Sequence, residues 1–363
     1  MVRLMKCNQV LQLCAELQHY GVRADLDDMG RHGGAGPAAA RAFILDSHVL
    51  MIPTLNQAAR NSPYEFKGRN GSGHLAQAGL RVATASAVPS PRFYDLKTGD
   101  GIPYRKIATL HGTDCLGSTV IQACIRYADP AKRCHFCGIG LSLQKGHTIA
   151  KKTPEQLAEV AVAAKALDGI KHVTLTTGTT DERNKGAEYL GECARAITLE
   201  SALPVHAQFE PPQDKEIFKN LRRMGVVNVG LHVESFDETV RRRYTPGKSV
   251  IPLENYFSAF EEAVAVFGRN RVSTFVILGL GEDESITLDG CRRAATMGVY
   301  PFVVPLRPMD GTLLANGRPP SSDYVCRMTL EVGRLIQGQG LSTTRSGAGC
   351  TRCGACSLLQ FTE

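Results

Sequence analysis

The second half of the chain repeats one pattern of hydrophobic and polar positions. From about residue 154 onward, an amphipathic helical stretch is followed by a glycine and then by a short apolar, β-branched run. Each glycine stands where a helix would end in left-handed backbone, so each unit predicts a helix followed by a strand. The first helix opens with TPEQ at 153–156, a capping box with proline in the first turn. The paired segments are AVAAKALDG with HVTLTTG, FKNLRRMG with VNVGLHVE, AVAVFG with RVSTFVILG, and RRAATMG with YPFVVPL.

The predicted strands are apolar along nearly their whole length, as parallel strands buried on both faces are. Two more such runs, residues 119–124 and 204–209, bring the predicted parallel strands to about six. Because strand–helix–strand crossovers are right-handed, these units favour an α/β fold with a partial (β/α)6 TIM-like barrel, whose site lies at the carboxyl ends of the strands. A doubly wound open sheet competes, but no G-x-G-x-x-G follows the first strand.

The pattern divides the chain into three parts. Residues 106–310 form the predicted barrel core, residues 1–105 an N-terminal accessory segment, and residues 311–363 a C-terminal extension. The accessory segment is expected to hold an N-terminal helix, a glycine-rich stretch at 30–37, and short strands. We also expect a hairpin around 98–101 with IATLHG paired beside it.

The composition indicates the cellular compartment of the protein and the classes of partner that it disfavours. None of the 363 residues lies in an uncharged apolar run of the roughly 18 residues that a membrane span needs, and the first residues lack the features of a signal peptide. Twelve cysteines, several in C-x-x-C spacing, are typical of metal binding in a reducing compartment, so we expect a cytoplasmic protein that spans no membrane. The net charge of +7 comes partly from short arginine runs without interleaved aromatic residues, which disfavours nucleic-acid binding.

The most informative segment carries three cysteines directly after the first predicted strand of the barrel. Cys124 is followed after nine residues by Cys134, and Cys137 completes a C-x-x-C pair. Thiolates are preferred ligands of iron–sulfur clusters, and three of them on a four-iron cube leave one iron open for a cofactor or substrate. A structural zinc site would need a fourth ligand, either His135 inside the pair or a distant C-terminal cysteine.

This segment resembles the signature of radical S-adenosylmethionine (SAM) enzymes, in which an aromatic residue precedes the last cysteine. Phe136 takes that place here and is implied to pack near the adenine of SAM. The family usually has three residues between its first two cysteines, so the loop of this chain is expanded, and Cys115 competes with Cys124 as the first ligand. The resemblance implies a 4Fe-4S cluster, SAM as cofactor, and an electron donor such as flavodoxin or ferredoxin.

Three later segments resemble SAM contacts of the same family. Thr176, Thr177 and Gly178 resemble the strand edge whose backbone accepts the methionine ammonium of SAM. Glu234 resembles the carboxylate that binds the ribose hydroxyls. The run VILGLGE resembles the adenine-contacting motif in degenerate form, with Ile277 and Gly279 as its contacts.

The resemblance covers roughly residues 106 to 308 and is nearest to the biotin synthase branch. Motifs along the whole chain, among them GGAGP, FEPP and AGCTRCGACS, resemble an uncharacterised subfamily from bacterial nitrilase-type gene clusters. It implies an enzyme that cleaves SAM reductively to a 5'-deoxyadenosyl radical, which abstracts hydrogen from a small-molecule substrate.

A second cysteine group, Cys350, Cys353 and Cys356, lies near the C-terminus in C-x2-C-x2-C spacing. Small residues between the cysteines let the backbone wrap a cluster, which favours a second iron–sulfur cluster over zinc. Its fourth ligand would be Cys115, Ser346, a substrate group or nothing.

Two reaction types compete for this enzyme: sulfur insertion, as in biotin or lipoyl synthase, and rearrangement or carbon–carbon bond formation. A zinc-binding structural or interaction protein is the alternative of another class.

No catalytic residue is assigned by the sequence, but two candidates follow from strand positions. His232 lies two residues before Glu234 on one predicted strand and therefore faces the same side. Arg307 ends the last predicted strand and would bring a fixed positive charge to the mouth of the barrel, where an anionic substrate could bind. A core imidazole and a structural ion pair are the competing interpretations.

Overall fold

The computed structural model of the chain describes residues 7–26, 39–69 and 71–363, without the side chains of Cys7 and Asn8. The glycine-rich stretch at 30–37 lies outside the described residues. Two sheets organise the rest: an antiparallel sheet of five strands and a mostly parallel sheet of seven strands.

The N-terminal segment begins with the predicted helix and builds the five-stranded sheet in the order β2-β1-β5-β4-β3. Its elements are α1 (Cys7–Tyr20), β1 (Ala40–Leu45), β2 (His48–Pro53), α2 (Gln57–Arg60), β3 (Tyr64–Arg69), β4 (Ser72–Gln77) and β5 (Leu80–Ala87). Leu17 of α1 packs on one face of the sheet with Phe43 and Leu50, and Val325 and Phe361 of the C-terminal extension join the same core. Helix α1 and the C-terminal extension are therefore packed in one core.

The predicted hairpin around 98–101 does not form as a pair of strands. Lys97 and Pro103 make one isolated antiparallel bridge, between a 3-10 turn at Arg92–Asp95 and the short helix α3 (Tyr104–Ile107). Proline lacks the N–H that a strand ladder needs, and the chain turns into α3 directly after it. The IATLHG segment forms β6 (Thr109–His111), which pairs antiparallel with β7 (Cys115–Thr119) instead.

The seven-stranded sheet curls into a partial barrel in the order β12-β11-β10-β9-β8-β7-β6. Six of its strands, β7 to β12, run parallel, which confirms the predicted fold class. The remaining elements of the barrel are α4 (Ile139–Gln144), α5 (Pro154–Asp168), β8 (His172–Thr176), α6 (Ala187–Ser201), β9 (Val205–Phe209), α7 (Glu216–Arg223), β10 (Val226–Leu231), α8 (Glu238–Tyr244), α9 (Pro246–Ser249), α10 (Leu253–Phe267), β11 (Val272–Leu278), α11 (Glu284–Met297) and β12 (Val299–Pro305).

The first parallel strand lies four residues earlier than predicted. It occupies Cys115–Thr119, because the tight turn from β6 starts the ladder at the pair His111 and Cys115. The apolar run that follows leaves the sheet, and Ile121 forms a bridge with Lys151 instead. The run at 119–124 was therefore misassigned as the strand, since a buried crossing segment has the same apolar pattern as a buried strand.

The helix boundaries follow their predicted caps. Thr153 Oγ1 accepts a hydrogen bond from the Gln156 backbone at 3.2 Å, and Gln156 Oε1 accepts one from the Thr153 backbone at 3.0 Å, so the capping box of α5 is confirmed. Gly169 ends α5 at φ 66° and Gly298 ends α11 at φ 93°, in left-handed backbone that glycine adopts without strain.

The C-terminal extension closes the open side of the partial barrel. It contains α12 (Ser322–Gly338) and α13 (Cys350–Cys353). Cys356 Sγ lies 3.2 Å from a ring nitrogen of His111 on the edge strand β6, and Ser357 Oγ donates to the Val303 carbonyl of the opposite edge strand β12 at 2.6 Å. The tail after α13 thus lies between the two edges that the sheet leaves unpaired. No helix of residues 7–26, 39–69 or 71–363 is long and apolar enough to cross a membrane.

Candidate functional site

One cavity of about 590 Å³ runs through the barrel and reaches both cysteine groups. Cys124, Cys134 and Cys137 line it near the carboxyl ends of the strands. Cys350 and Cys356 of the second cysteine group line it at the other end, beside the strand starts. Segments distant in sequence therefore bring thiols of both cysteine groups to a single cavity.

The cysteine loop is held against the barrel by backbone hydrogen bonds. Ile125 N donates to the Thr179 carbonyl at 2.9 Å, and His135 N donates to the Tyr244 carbonyl at 2.9 Å. Burial raises the pKa of Cys137 to about 11 and raises the pKa of Cys134 further, so both thiols are protonated at neutral pH in the protein alone. Three soft sulfur donors facing one cavity match the ligand set of a site-open 4Fe-4S cluster, and cluster binding would displace their protons.

The described residues do not favour a site for a single metal ion. Within the described part of the chain, no three side chains of His, Cys, Asp or Glu are arranged to hold a single metal ion. His135 of the C-x-x-C segment packs edge-on against Tyr244, with ring centroids 5.7 Å apart.

Gly178 determines how closely the cysteine loop approaches β8. A Cβ at this position would lie 1.9 Å from the Ala123 carbonyl oxygen, next to Cys124 in sequence. The Gly178 N–H donates to the Ile121 carbonyl at 3.0 Å. Thr176, Thr177 and Gly178 all line the cavity, and Gly178 also seats the loop.

Glu234 also lines the cavity, and its carboxylate pairs with Lys248, with Nζ and Oε1 2.9 Å apart. The same Nζ donates to the His232 carbonyl at 3.2 Å. Burial alone would lower the pKa of Lys248, but Glu234 and other neighbours raise it well above its usual value, so the ammonium is charged. Glu234 adopts left-handed backbone at φ 67°, a strained conformation for a residue with a side chain.

A second buried pair stands beside the first. Arg126 donates through Nη2 and Nε to the carboxylate of Glu210 at 2.9 and 3.2 Å, and its Nη2 lies 3.4 Å from Glu182. Arg126 and Glu210 line the cavity together with Lys248. None of these three residues was predicted from the sequence. Glu210 could have been predicted as a site residue, because it directly follows the buried strand β9. Glu234 has a similar position shortly after the next strand, β10.

Phe136 and Ile277 form one apolar side of the cavity. Both line it, and both belong to a small hydrophobic cluster with Leu306. Gly279 lies elsewhere: at φ 100° its position faces Pro320, and its N–H donates to the Glu282 carboxylate at 2.7 Å. Of the two predicted adenine contacts, Ile277 lines the cavity and Gly279 does not.

The two candidate catalytic residues both reach the cavity. The ring of His232 stacks on Phe275 at 4.2 Å, and its Nδ1 accepts from the Phe275 N–H at 3.2 Å, which leaves the ring proton on Nε2. Burial and then Lys248 lower the pKa of His232 well below its usual value, so the ring is neutral. Arg307 donates through Nη2 to the Met51 carbonyl at 2.8 Å. His232 Nε2 and Arg307 Nη1 are buried without a hydrogen-bond partner among the described residues.

The second cysteine group is surrounded by polar side chains from the barrel. Cys350 Sγ accepts from Gln208 Nε2 at 3.1 Å, and Cys115 Sγ lies 3.4 Å from Thr174 Oγ1. Ser346, one candidate fourth ligand, instead accepts from Asn228 Nδ2 at 3.1 Å and donates to the Ala348 carbonyl at 3.1 Å. Those two hydrogen bonds anchor the tail at Ser346.

Comparison with known proteins agrees with this geometry. Residues 130–289 match the model of the radical SAM superfamily, a segment that includes Cys134, Cys137 and Glu234 but begins after Cys124. Over 225 residues the chain is 26% identical to a bacteriochlorophyllide c C-7(1)-hydroxylase of Chlorobaculum limnaeum, covering 56% of this chain and 55% of the relative. The chain thus matches about half the length of that relative.

Two solved structures are similar to this chain. The FeFe-hydrogenase maturase HydG is similar at a TM-score of 0.50 and 17% identity, covering 63% of this chain and 50% of HydG. A radical SAM methyltransferase of Sphaerobacter thermophilus has a TM-score of 0.48 and 16% identity, with 72% of this chain and 75% of that one covered. Residues 130–289, which lie within the partial barrel, therefore match a domain of the radical SAM superfamily.

Proposed function

We propose that the chain is a radical SAM enzyme that removes a hydrogen atom from a small molecule held in the barrel cavity. The proposal rests on one observation above all: three thiols at the carboxyl ends of the strands and a second cysteine group at the opposite end border the same cavity. When bound, the 4Fe-4S cluster and SAM supply reductive cleavage of the sulfonium and a 5'-deoxyadenosyl radical.

Cys124, Cys134 and Cys137 would hold the cluster. The polar residues around them would orient SAM, with Glu234 accepting from ribose hydroxyls and the Thr177 edge facing the amino group. Phe136 and Ile277 present an apolar surface to a flat base. Lys248 holds the Glu234 carboxylate in place through an ion pair, with Nζ and Oε1 2.9 Å apart.

The substrate would bind deeper in the cavity. A volume of about 590 Å³ is in the range that accommodates a small organic molecule. Arg307 lines this space with one buried guanidinium nitrogen still available to an acceptor, which favours a substrate with a carboxylate or another anionic group. His232 would offer its Nε2–H as a second donor.

A C–H bond of the substrate is the expected target. The hydroxylase from Chlorobaculum limnaeum is named for a reaction at one carbon of its substrate, which supports chemistry of this kind. The barrel wall and the C-terminal tail would exclude water from the reacting atoms, which protects a radical from side reactions.

The second cysteine group would hold an auxiliary iron–sulfur cluster. Its place on the substrate cavity favours a part in the reaction, either as sulfur donor in a sulfur-inserting enzyme or as electron acceptor. A cluster used only for structure has no need to border the substrate. The zinc-binding alternative explains the two cysteine groups but not the charged and polar residues that share their cavity.

The reductant would be a one-electron donor of the flavodoxin or ferredoxin kind. The cysteine loop carries the exposed Lys132, and the chain has a net charge of +7, so an acidic donor would be attracted. The eleven described cysteines are all free thiols, which is consistent with a cytoplasmic location.

The test begins with protein purified without oxygen. We expect iron and sulfide sufficient for two clusters, and formation of 5'-deoxyadenosine after addition of dithionite and SAM. Cys134→Ala should abolish this product, whereas Cys326→Ala, a change on α12 away from the cavity, should leave it intact. A colourless protein loaded with zinc, or product formation that survives Cys134→Ala, would overturn the proposal.

A further inference from the structure

His111 stands between two cysteines of the second cysteine group. Its Nδ1 lies 3.3 Å from Cys353 Sγ, and its Nε2 lies 3.2 Å from Cys356 Sγ. At the bond lengths of roughly 2.1 Å for nitrogen and 2.3 Å for sulfur on a tetrahedral metal, two ligands of one metal atom lie about 3.6 Å apart. The distance from His111 Nε2 to Cys356 Sγ is close to that spacing. The distance from Nδ1 to Cys353 Sγ is that of a hydrogen bond from the second ring nitrogen.

The local backbone is shaped to bring the histidine and the cysteines together. His111 is paired across β6 and β7 with Cys115, so the hairpin holds both residues at the same height. Gly112 begins the turn at φ 61°, and a Cβ there would lie 2.7 Å from Cys353 Sγ. A side chain at this position would therefore push Cys353 away from His111.

We propose that the second iron–sulfur cluster is a two-iron cluster, in which each iron takes two protein ligands. One iron would bind His111 together with Cys356, and Cys350 and Cys353 would complete the ligand set. The inference rests on the proposed function, since it requires that second cluster. Cys115 is the rival ligand, but its sulfur is engaged with Thr174 Oγ1. His111 and Cys356 both line the cavity, so the iron they share would face the substrate space.

Histidine ligation has a chemical consequence. A neutral imidazole in place of a thiolate makes the cluster less negative and raises its reduction potential. The ring nitrogen not bound to iron would donate to the neighbouring sulfur, as a ligating histidine usually donates its second N–H to a nearby acceptor. The same sulfur hydrogen bond would raise the potential further.

The experiment isolates the second cluster in the full chain. The variant Cys124→Ala/Cys134→Ala/Cys137→Ala, purified without oxygen, keeps iron only at the second cysteine group. After reduction with dithionite, pulsed electron paramagnetic resonance should detect a directly bound ¹⁴N that becomes ¹⁵N when the protein is labelled with ¹⁵N-histidine. Adding His111→Cys should retain the iron, remove the nitrogen coupling and shift the midpoint potential to a more negative value.

His74→Ala, in the N-terminal sheet, is the matched control and should change neither signal nor potential. If the triple variant holds iron and sulfide but shows no bound nitrogen, or if His111→Cys leaves the spectrum unchanged, the assignment of His111 is wrong while the second cluster stands. Loss of the cluster on Cys115→Ala but not on His111→Ala would also overturn it. If the triple variant holds no iron–sulfur cluster, the second cluster of the proposed function fails, and this inference fails with it.

Discussion

Lys248 and Glu234 form an ion pair in the wall of the cavity, with their side chains only 12% and 13% exposed. Removing one partner of such a pair leaves a buried charge alone, at a cost of about 3–5 kcal/mol. We therefore expect Lys248→Met to lower the free energy of unfolding by about that amount, measured by urea denaturation.

Two further variants test the same pair. Glu234→Gln combined with Lys248→Met should recover part of the lost stability, because no unpaired charge remains. Lys219→Met breaks the exposed pair with Glu216, whose side chains are 59% and 62% exposed, and should cost about 0–1 kcal/mol. Equal losses for the two single lysine variants would contradict the importance of burial at Lys248.

Gly178→Ala should displace the cysteine loop. The added Cβ would lie 1.9 Å from the Ala123 carbonyl, a backbone atom that cannot rotate away. A displacement of about 1 Å in a catalytic arrangement can cost about 100-fold in rate, so we expect a fall of that order in 5'-deoxyadenosine formation. Gly338→Ala, where a Cβ meets nothing within 4 Å, is the control. Normal activity in the Gly178 variant would show that the loop tolerates the shift.

Asn228→Ala should loosen the tail that carries the second cysteine group. Asn228 holds the Ser346 hydroxyl and the Ala348 N–H at 3.1 Å each, and leaving these groups unpaired costs about 1–3 kcal/mol. Hydrogen exchange should quicken in residues 346–357, and iron content should fall while SAM cleavage continues. The control Asn220→Ala, on α7, should change neither hydrogen exchange, iron content nor SAM cleavage. If the Asn228 variant also lost SAM cleavage, the two cysteine groups would not function independently.

Protonation of His206 in the unfolded chain should lower the free energy of unfolding in acid. Burial lowers its pKa to about 3, against a small opposing contribution from the Val229 backbone, so the ring is neutral in the folded protein. Below the unfolded pKa of about 6.5, the unfolded chain binds a proton that the folded chain does not, and the free energy of unfolding falls by about 1.4 kcal/mol per pH unit.

Urea denaturation between about pH 6 and 4.5 measures this slope. His206→Gln should reduce the slope by about one proton, whatever it does to stability at neutral pH. His232, whose pKa is also lowered, contributes in the same direction and remains in the variant. An unchanged slope would show that His206 is accessible to protons in the folded protein.

Local patterns predicted much of the architecture. The caps at Thr153 and Gly169 and the buried parallel strands depend on neighbours within a few residues, which the sequence displays directly. The first strand was placed too late, because an apolar run signals burial without saying whether the backbone joins the sheet. The hairpin at 98–101 was overpredicted, since the same turn residues also serve a 3-10 turn and a short helix.

The alternating elements, the cysteine spacings and the cluster chemistry that those spacings favour can be predicted from the sequence, because each depends on residues close together in the chain. The contacts of Lys248 with Glu234, of Arg126 with Glu210, and of His111 with Cys353 and Cys356 depend on how the whole chain packs. His111 and Cys353 are 242 positions apart. Such contacts arise only when the sheet curls and the tail fills its open side. The packing of whole helices and strands determines which distant side chains share a cavity, and local sequence preference does not.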